Sequence, residues 1–153
     1  LRFTAEDLRL LGMTGLLFDV GIGHLPVDLE ACGGDFRKLD QKIFMAHVQL
    51  GHDQLVAGGI PAPVAKACIE HHERLDGSGY PNGLTRGQIS LFGRIAAICD
   101  TYDWLIDDSD GASRLDPAHA LQHLLKSSDL FDEELSVAAP QTSAVPPNGT
   151  SER

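Results

Sequence analysis

Helical periodicity in this chain stops at one stretch that constrains everything around it: HHERLDGSGYP, residues 71–81. Upstream, Val64, Cys68 and His71 align on one helical track, and Ala65, Ile69 and His72 on the next. Both imidazoles therefore point near the apolar side of a helix. Two glycines and a proline then break the helix into a turn. Ring nitrogens placed against a core are costly to bury without partners. The fold must bring other polar groups, or a metal ion, to His71 and His72.

The remaining chain offers helices to do this and nothing that reads as a strand. Residues 5–17 read as a helix capped by Thr4, with Asp7 completing a capping box and Leu8, Leu11 and Gly15 near one face. The segment DVGIGHLP, 19–26, breaks it, and 27–37 look irregular. Residues 38–57 form an amphipathic helix in which Leu39, Ile43, Ala46 and Leu50 recur, with His47 at the edge of the stripe. Pro61 and Pro63 open a helix that ends near Glu73. Residues 87–106 form a long helix with Phe92, Ile95, Ala96, Cys99 and Tyr102 facing the core, and Asp100 and Asp103 sharing a flank. An acidic linker, DDSDGAS, follows. Asp116 and Pro117 start a last helix that runs to about Ser128. The predicted fold class is all-α, with one domain over residues 1–135 and a disordered tail over 136–153. The 153 residues suffice for one domain with a core. The first residue is Leu rather than Met, so a fragment is expected, with elements missing upstream.

Charge narrows the partners. A formal net charge of −10 argues against nucleic acid polymers and anionic membrane surfaces. An anionic ligand would bind only where a metal ion or local positive charge overrides that field. No stretch is apolar enough for membrane insertion. Cys32, Cys68 and Cys99 form no C-x-x-C pair and read as reduced, buried thiols, which points to a cytoplasmic setting.

Chemistry alone singles out Asp19, His47, His71, His72 and Asp100, each near a buried edge or a helix end. Imidazole with carboxylate suits Fe, Mn, Zn or a similar divalent ion. The alternative is a set of hydrogen-bonded core histidines and capping carboxylates. His119 and His123, four residues apart, read as solvated surface, as do His24 and His52.

HHERLDGSGYPNGL followed by ISLFGRIAAICDTYD resembles the signature of the HD-GYP family, and the likeness extends over residues 5–125. The resemblance implies an all-α HD-domain helical bundle, with the family's first helices absent from this chain. It also implies a metal-dependent phosphodiesterase that opens cyclic di-GMP to pGpG or GMP with two or three ions, commonly Fe or Mn. The family's metal-bridging aspartate falls on Asp19, the histidine of the following helix on His47, its paired histidines on His71 and His72, and its late aspartate on Asp100. The ligand loop falls on Asp76, Gly77, Gly79, Tyr80 and Pro81.

Departures from the family pattern cluster on one side of the site. The histidine of the His-Asp pair is Phe18, and the lysine three residues after that aspartate is Ile22. The phosphate-binding arginine falls on Ser109, the basic residues after it on Ala112 and Ser113, and a small residue is replaced by Trp104. No catalytic residue is therefore assigned. Losing a charge-assisted contact to phosphate costs about 1.5–3 kcal/mol. The expectation is impaired or lost hydrolysis, with a Fe or Mn ion at one site, weakened binding of cyclic di-GMP, and contact with a GGDEF-domain protein through the Tyr80-Pro81 turn. The alternatives are an active phosphodiesterase and a metal-free structural scaffold. The GGDF string at residues 33–36 lacks an α/β pattern around it and is read as coincidence.

Overall fold

In the computed structural model, which describes residues 2–27, 39–107 and 115–137, the first helix begins where its cap predicts. Thr4 accepts the Asp7 amide at 3.1 Å and donates its own amide to the Asp7 carboxylate at 2.8 Å. Helix α1 then runs Ala5–Leu17. Its buried positions are Leu10 and Thr14, whereas Leu8 faces solvent. The inward stripe is therefore rotated from the one the sequence pattern suggested.

Asp19 introduces a 3-10 turn, Val20–His24, that crosses helix α3 (His47–Ala57) at very close range. A Cβ on Gly21 would lie 1.9 Å from the His47 carbonyl oxygen, and one on Gly51 would lie 2.8 Å from the Cys68 sulfur. Only two facing glycines let the backbones meet this closely, and that contact carries Asp19 to His47.

The helix predicted over 38–57 is two helices, α2 (Gln41–Met45) and α3, joined at Ala46. Asp40 caps α2 by accepting the Lys42 amide at 2.9 Å. The joint shifts the helical phase. His47, Val48, Gly51 and Leu55 are buried, while Ile43 is exposed. Helix α4 (Ala62–Glu70) buries Val64, Ala65, Ala67 and Cys68, in keeping with the predicted tracks. It ends at Glu70, with His71 as its cap, three residues before Glu73.

Helix α5 (Leu91–Ile106) starts at the Ser90 cap, whose hydroxyl accepts the Gly93 amide at 3.1 Å. Phe92 and Ala96 are buried as expected, but Cys99 is exposed because the inward face runs through Ala97 and Ile98. Helix α6 (Pro117–Lys126) is capped by Asp116. A further short helix, α7 (Glu133–Val137), packs Leu135 and Ser136 inward, so helical order extends past the expected domain boundary at residue 135. The rest of the expected tail, Cys32, and residues Ser109, Ala112 and Ser113 lie outside the described residues.

Helix α4 sits at the centre and contacts α1, α3 and α5. Leu10, Val64, Ala67 and Phe92 form one core cluster, and Leu55, Ala65 and Cys68 another. Among the described residues there is no strand, only an isolated bridge between Asp76 and Thr85, and no helix is long and apolar enough to cross a membrane.

Two glycine substitutions separate close approach from helix propensity. Gly21→Ala is expected to destabilise the fold by about 1–3 kcal/mol through forced displacement of α3. Gly12→Ala meets nothing within 4 Å and is expected to stabilise α1 by about 0.5–1 kcal/mol. Urea denaturation curves of the two variants check both signs.

Candidate metal centre and adjoining cavity

Helix ends aim the two innermost imidazoles. His47 Nδ1–H donates to the Phe44 carbonyl at 2.6 Å, across the joint between α2 and α3. His71 Nδ1–H donates to the Cys68 carbonyl at 2.6 Å, in the last turn of α4. Carbonyls only accept, so Nδ1 carries a proton in both rings, and in the neutral rings the Nε2 lone pairs are free. Those two Nε2 atoms face each other at 3.4 Å. Asp19 Oδ1 lies 3.4 Å from each of them. Three acceptors thus converge with no donor among them, an arrangement that calls for a cation or an added proton at the centre.

Asp19 reaches this point because the buried Cys68 thiol donates to the Phe18 carbonyl at 3.0 Å. Burial, followed by the nearby Asp19 charge, pushes that thiol up to about 12, so it stays protonated and serves as a donor. Burial also acts to raise the Asp19 carboxyl, but hydrogen bonding and charge from His47 and His71, once a proton sits on either Nε2, outweigh it and the net shift is downward.

His72 completes the group, and its ligand atom lies within 4.8 Å of those of Asp19, His47 and His71. Its buried Nε2 has no hydrogen-bond partner among the described residues. Burial first, then the charge of His71 and His47 when either is protonated and of Arg74, holds this imidazole far below its ordinary range, so it is neutral and able to ligate. Tyr80 stacks on it with centroids 4.7 Å apart. Asp100 lies 3.6 Å from the other ring nitrogen of His72, and burial raises its carboxyl to about 6. Four of the five residues expected at the site are therefore one cluster, and Asp100 adjoins it through His72. Two oriented lone pairs, one orphaned buried nitrogen and an ionised carboxylate fit a divalent ion of the Fe, Mn or Zn type.

Two buried glutamates that the sequence reading passed over hold the surrounding backbone. Glu73 accepts the amides of Asn82 and Leu84, each at 2.8 Å, on either side of the turn at Gly83. Glu70 accepts the Ser90 amide at 2.9 Å, just where α5 begins. Gly79 passes so close to residues 72–74 that a Cβ would lie 2.4 Å from the Glu73 Cα. The Tyr80-Pro81 peptide bond is cis. Within the expected ligand loop, Tyr80 and Gly79 reach the cluster, whereas Asp76 faces solvent and bonds the Ser78 amide at 2.9 Å. Gly77 adopts φ +84° and turns the chain. A glutamate at the end of an apolar track would have been the signal for Glu70 and Glu73.

Beside the cluster lies a cavity of about 610 Å³ whose wall includes Asp19, Ile22, His72, Arg74, Asp100 and Trp104. Arg74, also passed over, donates to the His71 and Glu73 carbonyls at 3.1 and 2.9 Å and lies 3.5 Å from the Thr101 hydroxyl. His123, read as plain surface, lines the same cavity, while His119 pairs with Asp116. The Phe18 ring packs edge-on against His71 at 5.0 Å. A phenyl group therefore borders the cluster.

Residues 1–135 match the HD-domain family. A cyclic di-GMP phosphodiesterase of Pseudomonas aeruginosa is 33% identical over 129 residues, covering 84% of this chain and 31% of its own length. A probable cyclic di-GMP phosphodiesterase of Vibrio cholerae is 56% identical over 109 residues, 68% of this chain and 23% of its own. A 3′3′-cGAMP-specific phosphodiesterase of the same organism is 36% identical over 142 residues, 90% of this chain and 28% of its own. The chain thus spans less than a third of the length of each.

Replacing Glu73 by Gln removes charge-assisted hydrogen bonds worth about 1.5–3 kcal/mol. Hydrogen exchange at the Asn82 and Leu84 amides is expected to speed up by roughly tenfold or more, with exchange in α1 unchanged.

Proposed function

The chain belongs to the HD-domain family, and we propose that it binds a divalent metal ion and cyclic di-GMP but hydrolyses the nucleotide poorly or not at all. The observation that carries this reading is the asymmetry of the site. Asp19, His47, His71 and His72 converge on one centre. The two positions where the family resemblance expects a further ligand and a cation instead carry the Phe18 ring, packed on His71, and Ile22, in the cavity wall.

Asp19, His47, His71 and His72 would hold one ion, Fe or Mn by family resemblance, and Asp100 stands beside His72 for a second. When bound, such an ion supplies Lewis-acid polarisation of a phosphoryl oxygen. The chain's own residues bind and orient. Arg74 brings positive charge to the cavity wall, Tyr80 fixes the His72 ring by stacking, and Phe44, Leu130 and Phe131 make part of the wall apolar. With Ile22 in place of a lysine, one charge-assisted phosphate contact is lost, a deficit of roughly tenfold to a hundredfold in rate. A regulatory role follows, in which the domain senses cyclic di-GMP or meets a GGDEF-domain protein through the Tyr80-Pro81 turn, in the cytoplasm.

A second reading, retained hydrolysis, is favoured by Arg74, a cation in the cavity that offsets part of the loss. Incubation with Mn(II) and cyclic di-GMP, followed by chromatography for pGpG, separates the two. The expected result is binding heat by calorimetry, abolished by EDTA, with turnover at least a hundredfold below that of an intact HD-GYP domain. Comparable turnover would establish the second reading instead. Protein purified without stoichiometric metal, and unable to take it up, would leave a structural scaffold.

The double variant Phe18→His with Ile22→Lys is expected to recover little activity, because Ser109 and the acidic linker remain. Recovery to the level of an intact domain would mean that those two positions account for the whole deficit.

A further inference from the structure

Trp104 is the chain's only tryptophan, and it is 55% exposed while lining the same cavity as Asp19 and His72. Exposed apolar side chains are common on protein surfaces and ordinarily need no explanation. Leu8 and Leu16 on α1 are such cases, exposed but away from this cavity. Trp104 differs in where its helix puts it. It follows Asp100 by four residues and Thr101 by three, so all three share one flank of α5, with neighbouring Cβ atoms about 5–6 Å apart. Asp100 adjoins the metal cluster through His72, and the Thr101 hydroxyl lies 3.5 Å from the Arg74 guanidinium. Along one wall, therefore, come the candidate metal centre, a cation and an indole. A nucleotide presents its groups in the matching order, phosphate first and base last.

The same wall carries Asp103 and Asp107, one helical turn apart. A carboxylate only accepts hydrogen bonds. Guanine offers two adjacent donors on its Watson–Crick edge, the ring N1–H and the exocyclic amine, and adenine lacks that pair. An indole face is sequence-tolerant because every base has a π-face. The carboxylates, in contrast, discriminate.

We propose that Trp104 is a base-stacking platform and that Asp103 reads the guanine edge, which makes the cavity selective for guanine-bearing cyclic dinucleotides. The proposal rests on the reading that this cavity takes a cyclic dinucleotide, and it adds the residues that hold and select the base. Trp104 stands where the family resemblance expects a small residue, so the platform is a feature of this chain.

The full chain loaded with Mn(II) is titrated with cyclic di-GMP and, separately, cyclic di-AMP, by calorimetry and by tryptophan fluorescence. Because Trp104 is the sole tryptophan, any change in its emission reports on this position. Cyclic di-GMP is expected to quench the emission with the same dissociation constant as the heat. Trp104→Ala should weaken calorimetric binding at least tenfold, while Trp104→Phe retains most of it. Asp103→Asn should erase the preference for cyclic di-GMP over cyclic di-AMP. Binding heat with unchanged emission and an unaffected Trp104→Ala variant would overturn the stacking platform and leave cyclic di-GMP binding intact. Equal affinity of the unmodified chain for both nucleotides would overturn the base selectivity. Absence of heat from either nucleotide, with Mn(II) bound, would overturn the nucleotide reading and this inference together.

Discussion

The site depends on two short hydrogen bonds from imidazole Nδ1 to a backbone carbonyl three residues earlier. Each fixes a tautomer and a ring angle at once, leaving Nε2 as a bare acceptor aimed at the centre. Such a bond needs a carbonyl that the helix ladder releases, and helix ends supply those. His47 finds one at the joint at Ala46, and His71 finds one where α4 stops. An unbroken helix over 38–57 would have given the Phe44 carbonyl to Val48 and left the His47 ring unaimed. The irregularities in α2–α3 and at the end of α4 are therefore what makes the centre. The contact of Gly21 with α3 then delivers Asp19 to it.

Carboxylates divide into two groups by what surrounds them. Glu70 and Glu73 are buried and bonded to backbone amides, so their charge is spent on holding the start of α5 and the turn around Tyr80. Packing at Gly93 reinforces this, since a Cβ there would lie 2.8 Å from the Glu70 side chain. Asp19 and Asp100 face the cavity and the imidazoles instead. The carboxylates that hold backbone and those that face the imidazoles are thus separate sets, and neither can substitute for the other.

Much of this was legible in the sequence, for local reasons. The Thr4 capping box, the Pro61 and Asp116 helix starts, and the tracks that end in His71 and His72 are short-range signals, and each is borne out. All five candidate ligands gather in one region. What the pattern missed is tertiary. The Ala46 joint, which rotates the buried face of α3, has no Gly or Pro to announce it. Cys99 turns outward because packing against α6 and α7 selects Ala97 and Ile98 as the inner positions. Arg74 carries no signal in the pattern, and only the fold shows its guanidinium over the Phe131 ring at 5.0 Å and against Thr101. The small helix α7 is too short to show a period.

Electrostatics then constrains the order of events in the cavity. Asp19, Asp100, Asp103 and Asp107 all line it, in a chain of net charge −10. Arg74 opposes them but is partly engaged by two carbonyls, and burial lowers its own proton affinity against the pull of Asp100. A phosphate diester entering that field meets net repulsion unless a cation has already settled among the imidazoles. On the proposed reading, ion and nucleotide must therefore bind with positive coupling. Coupling of this kind is reciprocal, so the nucleotide tightens the ion by the same factor that the ion tightens the nucleotide. The lysine that resemblance places at residue 22 would supply part of that charge without an ion. With Ile22 there instead, the burden shifts to the metal, and occupancy of the centre becomes the condition for sensing the nucleotide at all.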